Sequence, residues 1–174
     1  MIKIIDNFFE EEKLNKIVNH IKKNLVFTPQ YFKGSTEKTK ETFFGNRSIL
    51  NKDKKLLNIF IKQAEKKFSL KIKKIYPWCG IDLRNMKIFQ PHTDNNDGIK
   101  LNVLVMLDGP IGISTGTCFF TENELAENEL DIHVGFRPNR AVLFPSDRMH
   151  SPHKSVVENL KRYTATLYIQ EYEF

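Results

Sequence analysis

The chain has 174 residues and a mass of 20.4 kDa, enough to bury a substantial core and short enough that one domain over residues 1–174 is expected. An apolar fraction of 40% with 14 Phe suits a globular protein, and no apolar run is long enough to span a bilayer, so a soluble, cytoplasmic protein with no membrane partner is expected. The formal net charge of +6 comes from 27 Lys and Arg against 21 Asp and Glu. Much of that excess lies between Lys13 and Lys74, on segments with a helical pattern where solvated lysines are usual; nucleic acid is therefore the lesser candidate among partners.

In chain order, residues 1–9 read as a first strand with an apolar patch at Ile2 to Ile5, and Asp6-Asn7 can cap a helix. Leu14, Ile17, Val18 and Ile21 recur at helical spacing behind acids at 10–12, which predicts an amphipathic helix. His20 borders its apolar stripe and reads as a partly buried or surface residue. Residues 26–46 lack a steady period, and Lys33 to Lys40 is polar enough to be a mobile loop, flanked by short strands, of the kind that can cover a pocket. Leu56, Leu57, Phe60, Ile61, Ala64 and Phe68 predict a second helix.

From Leu70 to Phe89 the pattern turns to strand alternation, with Tyr76, Trp78 and Arg84 placed either to line a site or to fill core. Ile99 to Leu107 is a strong strand, Asp108-Gly-Pro-Ile-Gly a turn, Gly112 to Thr117 a flexible stretch and Cys118 to Thr121 a short strand. Residues 122–130 read as an acidic loop or helical insertion. Asp131–Val134, Arg140–Phe144 and Arg162–Ile169 are further strands, and His133 is expected to pack or face solvent. Cys79 and Cys118 have no metal-type or redox-type spacing and are expected to be free thiols. Two helices followed by about eight strands suit an α+β, mainly β fold. The expected form is a double-stranded β-helix (jelly-roll or cupin-like) core over about 71–174, backed by helices in about 1–70.

One stretch organises this pattern: Phe89-Gln-Pro-His92-Thr93-Asp94-Asn95 places an imidazole and a carboxylate two residues apart. Residues i and i+2 of an extended chain share a side, so His92 and Asp94 can meet one metal ion. A third ligand is available after the apolar run at Phe144, as His150 or His153. Two histidines and one carboxylate on one side of a metal suit non-haem Fe(II) and oxygen chemistry.

With those residues placed, the chain resembles the 2-oxoglutarate- and Fe(II)-dependent dioxygenases, more closely their prolyl-4-hydroxylase-like branch. The resemblance runs through residues 89–95, the strand Leu101–Leu107, Gly116-Thr-Cys-Phe-Phe, and Gly135 through His150 to Arg162-Tyr-Thr-Ala. It implies iron on His92, Asp94 and His150, these also being the catalytic residues. The resemblance favours His150, because Phe144-Pro-Ser-Asp-Arg-Met-His150 matches the family's strand-then-His spacing and His153 would lengthen that loop by three residues. It also implies Arg162 on the far carboxylate of 2-oxoglutarate, with Thr164 adding a hydroxyl from the same strand face. A guanidinium can take a carboxylate in two parallel hydrogen bonds, which suits that role. The implied reaction consumes 2-oxoglutarate and molecular oxygen, releases succinate and carbon dioxide, and hydroxylates a C–H bond of a peptidyl or small-molecule substrate. Ascorbate is an expected accessory reductant. Against this stand a catalytically silent cupin-like metal- or ligand-binding domain, another metal on the same ligands, and a nucleic-acid-directed oxygenase or binding module using the basic N-terminal half.

Overall fold

The computed structural model describes residues 1–31, 43–84, 91–122, 128–153 and 161–174. The polar loop at 33–40, the end of the first strand run at 85–90 and most of the acidic stretch at 123–127 fall outside the described residues. Among the described residues, eleven strands and two α-helices follow in the order β1 (Lys3–Ile5), α1 (Glu11–Asn24), β2 (Thr28–Tyr31), β3 (Phe43–Ile49), α2 (Lys54–Phe68), β4 (Lys71–Ile75), β5 (Gly80–Arg84), β6 (Leu101–Asp108), β7 (Gly112–Glu122), β8 (Asn128–Phe136), β9 (Arg140–Pro145), β10 (His150–Pro152) and β11 (Arg162–Glu173).

α1 buries Leu14, Ile17 and Ile21 with acids in its first turn and lysines in its last. Asp6 and Asn7 do not cap it; Glu10 holds the N-cap position, with no side-chain cap. The cause lies in the two residues between. Phe8 and Phe9 are driven into the core, and Asn139 holds Phe9 there by accepting from its N–H and donating to its carbonyl, both at 2.8 Å. α2 is capped as its sequence allows: Asp53 Oδ1 accepts from Leu56 N at 2.9 Å, and Ser69 closes the other end in the left-handed conformation.

The strands form two sheets. The larger runs β1-β9-β6-β11-β5-β3-β2, with β4 also paired to β11; the smaller runs β10-β7-β8. Helices and the larger sheet enclose one apolar cluster, which contains Phe8, Phe60, Phe68, Val103, Val105, Ala165, Leu167 and Ile169. Met106, Phe119, Val134, Phe136, Val142 and Phe144 form a second cluster between the sheets. β6 and β11 are thus covered on both faces, and their alternate residues serve different interiors. Along β11, Ala165, Leu167 and Ile169 pack toward the helices. Arg162, Thr164, Thr166 and Tyr168 take the opposite face and line the space between the sheets.

Gly112 to Thr117, read from sequence as flexible, is instead the start of the long strand β7. The register shifts between Gly112 and Gly116, and Gly116 sits at φ 131°, where a Cβ would lie 2.1 Å from the Val134 carbonyl oxygen. Its small residues serve a bulge and close strand approach. Residues 128–130 of the acidic stretch open β8.

Candidate metal centre and anion pocket

His92 and His150 exchange both backbone hydrogen bonds, each N–H reaching the other's carbonyl at 2.9 Å. Residues so opposed in an antiparallel bridge point to the same side, and the two imidazole rings stand with centroids 4.4 Å apart. The next turn of chain brings in the carboxylate, because Asp94 N donates to the Ser146 carbonyl at 2.7 Å. Asp94 Oδ2 then lies 3.3 Å from His150 Nε2, and Oδ1 lies 3.7 Å from His92 Nε2. One ligand atom from each of the three residues lies within 4.8 Å of the others, a set that could hold a metal ion.

The surroundings orient these groups. His150 Nδ1 donates to the Arg148 carbonyl at 2.9 Å, which leaves Nε2 to face Asp94. Asn102 Nδ2 donates to Asp94 Oδ2 at 2.8 Å. Phe144 and Phe119 pack against the His150 ring. Burial pushes the Asp94 carboxyl up, but the His150 hydrogen bond and the charges of His150, His92 and Arg47 bring it below its usual value. Side-chain exposure rises from 9% at His150 through 18% at Asp94 to 34% at His92, so the trio opens on the His92 side.

A cavity beside the trio is lined by Arg84, Leu104, Thr117, Phe144, Pro152, Thr166 and Tyr168. A second cavity shares Arg84, Leu104, Thr117 and Pro152 with it, and adds Arg162 and Thr164. Arg162 is 6% exposed, and among the described residues its only hydrogen bond is to the Gly116 carbonyl at 3.4 Å, with no carboxylate paired to it. Burial pulls its guanidinium down to about 10, Arg84 adds to the effect and Cys118 opposes it. Arg162 is still a cation at neutral pH. Thr164 Oγ1 beside it is buried with no partner in the described structure. A buried cation and a spare hydroxyl in one pocket are groups that could receive an anion.

His92, Asp94 and His150 therefore stand together, with Arg162 and Thr164 in the adjoining space. His153 is elsewhere: its ring faces His133, with centroids 4.6 Å apart. Of the aromatics proposed as lining, Trp78 is 57% exposed and Tyr76 hydrogen-bonds Asp97 at the surface, so neither borders the cavities; Arg84 lines both. Sequence reasoning missed Asn102, although a polar residue inside the apolar strand Leu101–Leu107 was a visible signal. It also missed Tyr168. The Tyr168 hydroxyl accepts from Arg47 at 3.2 Å, and Arg47 in turn pairs with buried Asp82 through two bonds of 2.7 and 2.9 Å across β3 and β5. Burial raises the Asp82 carboxyl, and Arg47 and Arg84 more than reverse that.

No family model and no curated protein matches the sequence. Among solved structures, the prolyl hydroxylase from Trichoplax adhaerens, in complex with a hypoxia inducible factor oxygen degradation domain peptide fragment, is similar at TM-score 0.62 and 18% identity. The alignment covers 97% of this chain and 82% of that one. HygX from Streptomyces hygroscopicus, with nickel and 2-oxoglutarate bound, gives TM-score 0.67 and 12% identity over 97% and 82%. The epimerase SnoN, in complex with Fe3+, alpha ketoglutarate and nogalamycin RO, gives 0.63 and 10% over 97% and 78%. The chain thus has the double-stranded β-helix fold of the 2-oxoglutarate-dependent oxygenases, open rather than closed into a barrel.

Proposed function

We propose that this protein is an Fe(II)- and 2-oxoglutarate-dependent oxygenase that hydroxylates a C–H bond of a peptidyl or small-molecule substrate. The observation that carries this reading is the pairing of two features in adjoining cavities: the His92, Asp94 and His150 trio, and buried Arg162 with the Thr164 hydroxyl, which among the described residues have respectively no carboxylate and no hydrogen-bond partner. Iron-bound and nickel-bound neighbours of the same fold support the choice of metal and co-substrate.

The residues present fit the group. Imidazole and carboxylate donors suit Fe(II), and three of them on one side leave room for a chelating co-substrate. His92, Asp94 and His150 would hold the metal, and Arg162 with Thr164 would hold the distal carboxylate of 2-oxoglutarate. When bound, iron and 2-oxoglutarate supply the oxidising power, with succinate and carbon dioxide as products. The chain's own work is positioning. The Arg148 carbonyl keeps the His150 proton on Nδ1, Asn102 fixes the Asp94 carboxylate, and Phe119 and Phe144 keep water from the back of the His150 ring. Arg84, Leu104, Thr117 and Pro152 border both cavities, which sets the space at Arg162 next to the trio. The open His92 side is the approach for the primary substrate.

The test is a titration of Fe(II) into the protein without oxygen, with and without 2-oxoglutarate, followed by the visible charge-transfer band of the chelated complex. A band that needs both components, vanishes in His92→Ala and weakens in Arg162→Ala is expected. No band in folded, metal-loaded protein would overturn the proposal. Because neighbours of this fold include an epimerase and a carbocyclase, succinate release coupled to an oxygen-bearing product is the result that singles out hydroxylation.

A further inference from the structure

The smaller sheet carries a second cluster of ligating side chains that the oxygenase reading does not use. Cys118 on β7 stands directly opposite His133 on β8. On the other side of β7, His150, Ser151 and Pro152 pair with Phe119, Cys118 and Thr117, and His153 N continues the ladder by donating to the Gly116 carbonyl at 2.9 Å. Side chains alternate along each strand, so Cys118, His133 and His153 share one face. Thr117, Phe119 and Pro152 take the other, toward the iron-site cavities and the inter-sheet core. The cluster is thus separated from the His92, Asp94 and His150 trio by the thickness of the sheet.

One donor atom from each of Cys118, His133 and His153 lies within 4.8 Å of the other two. Both rings present a buried nitrogen without a partner in the described structure, Nε2 of His133 and Nδ1 of His153. Cys118 is 5% exposed and a free thiol. Two orphaned imidazole nitrogens side by side, next to a thiol, are unfavourable as they stand, since each buried nitrogen forgoes a hydrogen bond it would make in water. A metal ion satisfies all three.

We propose that Cys118, His133 and His153 form a second metal site, with one thiolate and two imidazoles, for a borderline-soft divalent ion of the zinc class. Sulfur and nitrogen donors select such an ion over one that prefers oxygen ligands. Ligands at about 2.0–2.3 Å around a tetrahedral ion sit roughly 3.3–3.6 Å from one another, so the cluster closes on the ion by side-chain adjustments of about 1 Å. The thiol proton leaves to solvent on binding, and the fourth position is left for water. A bound ion ties β7, β8 and the chain after β10 together. Those strands carry Phe119 against the His150 ring and the Gly116 carbonyl that Arg162 contacts, so occupancy stiffens one wall of the oxygenase site.

Co(II) is the probe, because a thiolate bound to Co(II) gives a near-ultraviolet charge-transfer band that a site of two histidines and a carboxylate cannot give. The wild-type chain, kept reduced, is expected to develop this band to saturation at one thiolate-bound ion per chain, and Zn(II) to bleach it. The band is expected to persist in His92→Ala and Cys79→Ser, and to be absent in Cys118→Ser. His153→Gln keeps the cysteine, so it answers the question if Cys118→Ser does not fold; a loss of tenfold or more in Co(II) affinity is expected. A folded wild-type chain without the band, a band unchanged by Cys118→Ser, or a His153→Gln protein of wild-type affinity would overturn the site. None of these results depends on 2-oxoglutarate, so failure here and failure of the oxygenase reading are separate outcomes.

Discussion

Replacing Arg162 by Met asks whether the buried guanidinium serves a ligand or the fold. In a buried ion pair, deleting one partner strands the other and costs about 3–5 kcal/mol. Arg162 has no such partner among the described residues, only the 3.4 Å contact to the Gly116 carbonyl. Burial, with Arg84 adding and Cys118 opposing, holds it at about 10. Each tenfold in proton affinity is about 1.4 kcal/mol, so the charged form sits about 3 kcal/mol less comfortably here than in water. Met retains most of the apolar stem. Urea unfolding of ligand-free Arg162→Met is therefore expected to show no loss of stability, and a gain of up to about 3 kcal/mol. Binding moves the other way: losing a buried, charge-paired contact costs about 2–5 kcal/mol, roughly 30-fold or more in 2-oxoglutarate affinity, read from the charge-transfer titration without oxygen. A variant destabilised by more than about 2 kcal/mol, with its 2-oxoglutarate affinity unchanged, would make Arg162 a residue of the fold and refute this reasoning.

Asn102→Ala removes the donor that fixes Asp94 Oδ2 at 2.8 Å, and Fe(II) affinity measured by anaerobic titration should fall about 10- to 100-fold. Asp82 is held below its usual value in the fold, so its contribution is complete above about pH 4 and is lost as the pH falls from there through its folded value. Acid unfolding of the wild type should therefore be steeper below about pH 4 than that of Asp82→Asn, and equal slopes would contradict the Arg47 pairing. Asp53→Ala removes the α2 cap bond to Leu56 N and should cost about 1 kcal/mol in urea unfolding. Gly116→Ala, whose new Cβ would meet the Val134 carbonyl at 2.1 Å, should cost about 3 kcal/mol or more and lower the melting temperature accordingly.

What the sequence disclosed follows from how each feature is encoded. The helices were legible because Leu14, Ile17 and Ile21, and Leu56, Phe60, Ala64 and Phe68, repeat at the helical period whatever the rest of the chain does. His92 and Asp94 were legible as a pair because their spacing is local. His150 could be preferred to His153 only through the family's spacing after Phe144; the contact that sets it beside His92 is a bridge 58 residues apart that no periodicity carries. Gly112 to Thr117 was misread because small residues signal a flexible turn and a close-packed bulge alike, and only the Val134 carbonyl decides between them. The pairing of Cys118 with His133 and His153 was invisible for a similar reason: three separate strands supply one residue or its neighbour each.

β11 shows how fold and site share a single stretch of chain. Its apolar members, Ala165, Leu167 and Ile169, could be read as core from their composition, while Arg162, Thr164, Thr166 and Tyr168 alternate with them on the cavity side. A strand buried on both faces would ordinarily be apolar throughout. Here one face is almost wholly polar, and Arg162, Thr164 and Thr166 are each 6% exposed. Groups of this kind oppose folding unless something satisfies them. Tyr168 is satisfied internally, by Arg47; among the described residues Arg162 has only the 3.4 Å bond to the Gly116 carbonyl, and the Thr164 hydroxyl has no partner. The open polarity lies at the Arg162 end of the strand, while Tyr168 borders the trio, and under the proposed function it is that end which would take the distal carboxylate of the co-substrate.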